Sequence, residues 1–340
     1  MKKFIKNIFA LFFGLIISLV LAEIVLRIYN PLPSRFRGDK IQLKTNLKKK
    51  TVIEPRIAGL DSVVSYSVNS LGFRGEEKPE NFKNVFSIIT VGGSTTECSL
   101  LSDEKTWPFL LGNKLKSVQK NSWVNNAGLD GCSTYGNNIL LDDYLLKLKP
   151  KMILFLVGIN DKGKADFSTE DGFLIDRKES LTVKLIKRCE LANLLNNLFL
   201  AYKTNKVGIG HGIDSDEEYD ETKMTEKYKA EQIKKYSEYL PSYKARLNIL
   251  VKKCLDNKII PVLLTQPLLD NGQRWEEMKL YNNTTKNVCD ENKILCIDLA
   301  NELPKDKKCF YDNIHYTNSG AEKVSEIIFN NLNNEKQIPL

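Results

Sequence analysis

The sequence predicts an α/β fold: a three-layer α/β/α sandwich around a five-stranded parallel sheet, preceded by an N-terminal transmembrane helix. Three observations predict it. From residue 85 onward, runs of continuous apolar residues alternate with helix-like stretches. Strands of that kind, without apolar/polar alternation, belong to parallel sheets covered on both faces. At 340 residues the chain has ample material for one large core. The third observation is an apolar N-terminal stretch, Ile8–Tyr29, broken by only two charges near its far end.

That stretch comes first in the chain. Lys2, Lys3 and Lys6 precede Ile8–Ala22, fifteen residues without a charge. Fifteen fall short of the roughly 20 that span a bilayer, but Ile8–Tyr29 suffices. Glu23 and Arg27 stand at i,i+4, where they can pair on one helix face near the interface. The leading lysines predict a cytoplasmic N-terminus and an extracytoplasmic body. A cleaved signal peptide ending at Ala22 is the alternative; the apolar pattern continuing past Ala22 favours a retained anchor. The predicted plan is an anchor or signal segment at 1–30, an extracytoplasmic stem and lead-in at 31–84, and the main domain at 85–335 with an insertion at 162–221.

Charge follows the same division. The first 50 residues carry a net charge of +9 and the remaining 290 about −1. A nucleic-acid protein carries its basic excess on the folded domain, so nucleic acid is excluded as a partner. Arg35, Arg37, Lys40 and Lys48–Lys50 instead fall where anionic lipid headgroups lie.

Within the body, strands are predicted at Val85–Val91, Trp123–Asn126, Met152–Val157, Ile259–Leu264 and Ile294–Leu299. Helices are predicted at Trp107–Lys120, Asn138–Lys149, Thr222–Asn257 and Ser319–Leu332, with Pro241 breaking the third. Tyr66–Gly75 predicts a short strand and turn leading into the domain. The insertion interrupts the alternation with an amphipathic helix at Ser180–Tyr202, a glycine-rich loop at Gly208–Gly212 and an acidic run at Asp214–Glu221. Its place after a strand's carboxyl end suits a lid or substrate wall; the acidic part also reads as a solvated surface excursion. The seven cysteines show no CxxC and no metal-ligand spacing, and read as small buried residues. No metal cluster, phosphate loop or dinucleotide fingerprint occurs, so no cofactor is expected.

The chemistry-bearing residues lie in four blocks. Gly92-Gly93-Ser94-Thr95-Thr96 ends the first strand, where glycines let the backbone turn sharply and present a serine nucleophile. Asn126-Ala127-Gly128-Leu129-Asp130-Gly131 and Gly158-Ile159-Asn160-Asp161 end the next two. Asp312-Asn313-Ile314-His315 holds one of only two histidines. A serine hydroxyl needs a positioned base, which His315 supplies, and Asp312 at i−3 can fix the imidazole tautomer. The other histidine, His211, reads as a loop residue or substrate contact, Asp161 as a turn or cap residue, and Gln266 as a possible substrate contact. Trp107, Trp123 and Trp275 read as core or surface aromatics.

In their order and spacing the four blocks resemble the SGNH/GDSL hydrolase superfamily, over residues 85–332. Gly93 replaces the aspartate of the family's Gly-Asp-Ser, as in a membrane-anchored bacterial branch that also carries a segment like Asn69–Gly75. The resemblance implies the flavodoxin-like SGNH fold and a serine esterase with Ser94, His315 and Asp312 as its triad. It implies an oxyanion hole made of the Ser94 N–H, the Gly131 N–H and the Asn160 amide. Gly128 competes for the second position; Gly131, five residues past Asn126, fits the block's layout. The expected function is an extracytoplasmic esterase acting on O-acyl, chiefly O-acetyl, groups of a cell-surface carbohydrate. Alternatives are an O-acetyltransferase, a lipid esterase or thioesterase, and a non-catalytic component with surface-polysaccharide assembly partners.

Overall fold

Residues 2–29, 36–37, 40–54, 56–164, 181–195, 198–199, 226–269 and 273–339 are described by a computed structural model of the protein. They fall into two units: residues 1–42 with 172–210, and residues 43–171 with 211–340.

The first unit contains the helix Lys2–Ile28. Over Phe4–Ile28 it is long and apolar enough to cross a membrane, a property it shares with signal sequences. Glu23 and Arg27 form the expected i,i+4 ion pair at 2.8 Å. Two short strands, β1 (Phe36–Arg37) and β2 (Lys40–Ile41), pair antiparallel. A helix at Leu181–Lys187 and a second helical stretch at 190–195 complete it. The predicted loop at Gly208–Gly212, the acidic run at Asp214–Glu221 and His211 lie outside the described residues.

In the second unit, β3 (Lys48–Val52) and β4 (Val63–Ser67) form an antiparallel pair. The main sheet contains β5 (Arg74–Gly75), β6 (Phe86–Gly92), β7 (Ser122–Asn126), β8 (Met152–Leu156), β9 (Ile260–Leu264) and β10 (Cys296–Ile297), in the order β10-β9-β8-β6-β7-β5. Five of these strands are parallel, as predicted. The sheet nonetheless has six strands: β5 adds an antiparallel edge to β7, pairing Arg74 with Asn126. Two residues are too few to carry a periodicity, which is why the pattern misses them. The last predicted strand shortens to Cys296–Ile297, because Leu299 already begins a helix, Leu299–Glu302.

Every residue of β6 and β8 is buried, as a sheet covered on both faces requires. One face packs Ile88, Leu154 and Val262 against Trp107, Leu111 and Leu115 and, from the closing helix Asn318–Asn334, Val324 and Ile328. By the two-residue period of a strand, Ile89, Val91, Ile153 and Phe155 point to the opposite face, and all are fully buried. On that second side the helix Leu240–Asp256 packs with the helices Thr134–Leu140 and Gln273–Asn292. The predicted break at Pro241 is present: one helix ends at Ser237 and the next starts at Leu240 with proline in its first turn. The helix predicted from Asn138 starts earlier, at Thr134, because the Ser133 hydroxyl caps it by accepting from the Tyr135 N–H.

Chain order departs from β6 in both directions, to β7 on one side and β8 on the other. The carboxyl ends of these three strands therefore flank a topological switch point, where open α/β sheets place their ligands.

Candidate active site

Three of the four sequence blocks leave the sheet at that point. Ser94 is the first residue of a single helical turn, Ser94–Glu97, directly after β6. The loop after β7 carries Gly128 and Gly131, and the turn Ile159–Asp161 after β8 carries Asn160. The fourth block reaches them from a loop closed by Phe310 bridging Tyr316 and by the Tyr311 N–H donating to the His315 carbonyl at 3.0 Å. Thr317 then caps the closing helix, its hydroxyl accepting from the Gly320 N–H.

Ser94 Oγ lies 2.8 Å from His315 Nε2, and His315 Nδ1 lies 2.6 Å from Asp312 Oδ2. An ionised carboxylate only accepts, so Nδ1 carries the proton and Nε2 is left to accept from the serine hydroxyl. The other Asp312 oxygen accepts from the backbone N–H groups of Ile314 (2.8 Å) and His315 (2.7 Å). Burial alone would raise the Asp312 carboxyl. The bonds to His315 and Ile314 outweigh it and hold the group below the usual carboxylate range. Tyr311 stacks nearly parallel on the imidazole, with centroids 5.6 Å apart. The three side chains are only partly buried, so the serine oxygen is open to a ligand.

The residues predicted as donors differ in their surroundings. The Asn160 amide sits against Gly93: a Cβ added at Gly93 would stand 2.2 Å from Asn160 Nδ2. That amide donates to the Cys132 carbonyl at 3.1 Å. Gly131 has φ +70°, a left-handed conformation that favours glycine, and a Cβ there would meet nothing within 4 Å. Backbone conformation thus accounts for glycine at this position. Gly128 differs, because its N–H is taken by Asn126 Oδ1 at 2.9 Å and a Cβ would press on the Glu97 backbone at 2.4 Å. It is a packing glycine against the serine's turn, with its N–H already engaged.

Four charged residues, of which the sequence marks only Asp161, hold these loops. Arg74 is buried; its guanidinium donates to the Glu97, Cys98 and Leu101 carbonyls at 2.6–2.9 Å, closing the open end of the serine's turn, and pairs with Asp103. The Glu97 carboxylate accepts from the Tyr66 hydroxyl (3.0 Å) and from the Asp130 N–H (2.5 Å), fixing the loop that carries Gly131. Asp161 and Arg246 form a fully buried ion pair at 3.0 Å, and Asp161 also accepts from the Thr134 N–H and hydroxyl. Asp161 thus ties the β8 turn to the helix after β7. This is the capping role its sequence context predicts.

Gln266 does not face a ligand. It is fully buried, faces the Thr95 hydroxyl at 3.1 Å, and exchanges hydrogen bonds with Asn282. Burial of its strand end removes it from the surface, and its part is to support the serine's turn. Trp107 and Trp123 are buried core aromatics, as predicted, and Trp107 Nε1 donates to the Thr95 carbonyl at 3.0 Å. The Trp275 side chain lies outside the described residues. The seven cysteines are free thiols, five of them buried. Among the described residues no group of histidine, cysteine, aspartate or glutamate side chains is arranged to hold a metal ion.

The sequence profile of the GDSL-like Lipase/Acylhydrolase family matches residues 89–323. No curated protein sequence matches the chain. Among solved structures, an acetylxylan esterase from Geobacillus stearothermophilus, Axe2, is 14% identical over 72% of this chain and 93% of its own, with a TM-score of 0.45. A putative GDSL-like lipase from Parabacteroides merdae is 12% identical over 73% of this chain and 95% of its own, with a TM-score of 0.46. An α/β hydrolase from the Lake Arreo metagenome, LAE5, is 12% identical over 73% and 94%, with a TM-score of 0.46. Likeness at this distance assigns no substrate.

Proposed function

The chain belongs to the GDSL-like lipase/acylhydrolase family and is a serine-type acyl esterase; we propose that it removes O-acyl, chiefly O-acetyl, groups from a cell-surface carbohydrate while anchored outside the cytoplasm. The observation that carries the chemistry is the unbroken hydrogen-bonded line from Ser94 Oγ through His315 to Asp312. In the proposed mechanism Ser94 Oγ bonds to the ester carbon as its proton passes to His315 Nε2. Asp312 stabilises the imidazolium that forms. The carbonyl oxygen, now an oxyanion, takes hydrogen bonds from the Ser94 N–H, the Gly131 N–H and the Asn160 amide. Collapse breaks the bond to the sugar oxygen, which leaves with the proton from His315. Water then repeats the sequence on the acyl-serine and releases the carboxylic acid.

The location rests on the helix Lys2–Ile28, its three leading lysines and its apolar length. A site anchored on the outer face suits an acylated polymer at the cell surface. The test is the acyl-chain profile of the full-length protein in detergent on acetyl, butyryl and octanoyl esters, together with acetate release from an O-acetylated glycan. Each methylene moved from water into an apolar groove contributes about 0.8 kcal/mol. A lipid site would therefore show affinity rising steeply with chain length. A flat or falling profile with acetate release is expected. A steep rise would assign a lipid esterase, and acetyl transfer to added sugar in place of hydrolysis would assign an acetyltransferase.

A further inference from the structure

The first unit holds a second apolar element fastened to the end of the N-terminal helix. Glu23 is the sole acidic residue of Phe4–Ile28, and a carboxylate at such a place needs partners. It has them on a distant part of the chain. Besides Arg27, it accepts from the backbone N–H groups of Glu190 (3.1 Å) and Leu191 (3.0 Å) and from Cys189 Sγ (3.1 Å). Arg27 in turn donates to the Arg188 carbonyl at 3.3 Å. These bonds pin residues 188–191 to the helix five residues before its end, about 7.5 Å along its axis at 1.5 Å per residue. The polar layer flanking a bilayer's hydrocarbon core is about that thick.

On both sides of this clamp the chain presents exposed apolar side chains. Leu181, Leu185 and Ile186 precede it and Leu195, Leu198 and Phe199 follow it, each between 48% and 73% exposed. Residues 181–189 carry three basic residues and no acidic one, a composition suited to anionic headgroups. The clamp at Glu23 joins these residues to the helix Lys2–Ile28, whose apolar span is likewise unburied. We propose that residues 181–195 with 198–199 are an interfacial element lying in the outer leaflet of the bilayer that the N-terminal helix spans. Their exposed leucines, Ile186 and Phe199 contact acyl chains. The proposal rests on the anchored reading given above.

Depth-dependent quenching separates the two. Full-length Leu185→Trp and Leu198→Trp variants are reconstituted in phosphatidylethanolamine/phosphatidylglycerol vesicles with and without brominated acyl chains. Phe12→Trp reports the span and Val118→Trp reports a water-facing position of the second unit. Emission added at 12, 185 and 198 is expected to shift to the blue and be lost to brominated lipid, with 118 unaffected. Loss at 12 but not at 185 or 198 overturns this proposal and leaves the anchor intact. Blue but unquenched emission at 185 and 198 means that protein covers the face, and overturns it equally. No quenching at 12 overturns the anchor and the interfacial element with it.

Discussion

Gly93 is the position at which a single methyl group tests the site. Its φ of −90° is negative, so alanine there is not forced into the left-handed region. The added Cβ would stand 2.2 Å from Asn160 Nδ2, where ordinary contact begins near 3.4 Å, so the amide must retreat by about 1 Å. The obstacle is the far end of a short side chain, which rotates away at little cost to the fold. Catalysis is expected to suffer instead, because a misplacement of about 1 Å can cost ~100-fold. Loss of one oxyanion donor costs about 100–1,000-fold. Gly93→Ala is therefore expected to lower kcat on p-nitrophenyl acetate by about that factor, with KM and thermal midpoint close to wild type. Gly93→Asp, which restores the residue of the namesake motif, is expected to do no better. The route through Asn160 is tested by Asn160→Ala alone and combined with Gly93→Ala. If the methyl acts by displacing the amide, the double variant is no slower than Asn160→Ala. Wild-type turnover in Gly93→Ala, or losses that multiply in the double variant, would refute the reasoning.

Other expected outcomes concern the serine line and its supports. Ser94→Ala and His315→Ala should each abolish acetyl-ester hydrolysis by several orders of magnitude with the fold intact by circular dichroism, and Asp312→Ala should retain more; near-normal turnover in the serine variant would end the mechanism. Arg246→Met leaves the buried Asp161 carboxylate without its counter-charge and should cost about 3–5 kcal/mol in urea unfolding. Adding Asp161→Asn should recover part of that, and a loss below about 1 kcal/mol would contradict the pairing. Because the Asp312 carboxyl is held below its ordinary value, its contribution to stability is fully present above the unfolded value and lost as pH falls through the folded one. The stability gap between wild type and Asp312→Asn should thus be present at neutral pH and close below about pH 4; a gap that persists in strong acid would count against it.

The parts of this protein that read clearly from sequence are those where one physical requirement acts on adjacent residues. Strands β6 and β8 are continuous apolar runs because both faces are buried. Ser94 follows such a run on two glycines, and only Asn313 and Ile314 separate Asp312 from His315. The helix Gln273–Asn292 was not read because its inward stripe is partly polar. Glu277, Met278, Tyr281, Asn282, Thr285, Val288 and Cys289 are all buried, so the helical period is present but not in hydrophobicity alone. Strand β5 is too short to signal itself, although Arg74 within the Asn69–Gly75 segment was an available clue. Gln266 was read by its strand-end position, and only the burial of that end shows it turned inward.

What carries little signal is the layer of charge behind the proposed donors. Arg74 closes the serine's turn, Glu97 fixes the backbone beside Gly131, and Asp161 with Arg246 fixes the turn beside Asn160. In a sequence Arg74, Glu97 and Arg246 look like solvated surface residues, since charged side chains are seldom buried. Their necessity appears only in three dimensions. The proposed donors, on loops at the ends of three different strands, have no shared secondary structure to hold their spacing. Backbone carbonyls and N–H groups left open at those ends need strong partners, and charge-assisted hydrogen bonds are the strongest available. Buried ion pairs add little net stability, but breaking one is costly, so such a layer is suited to holding a single arrangement. On this reasoning substitutions at Arg74, Glu97 and Arg246 act on turnover through the positions of Ser94, Gly131 and Asn160, none of which they touch with their own side chains in the reaction.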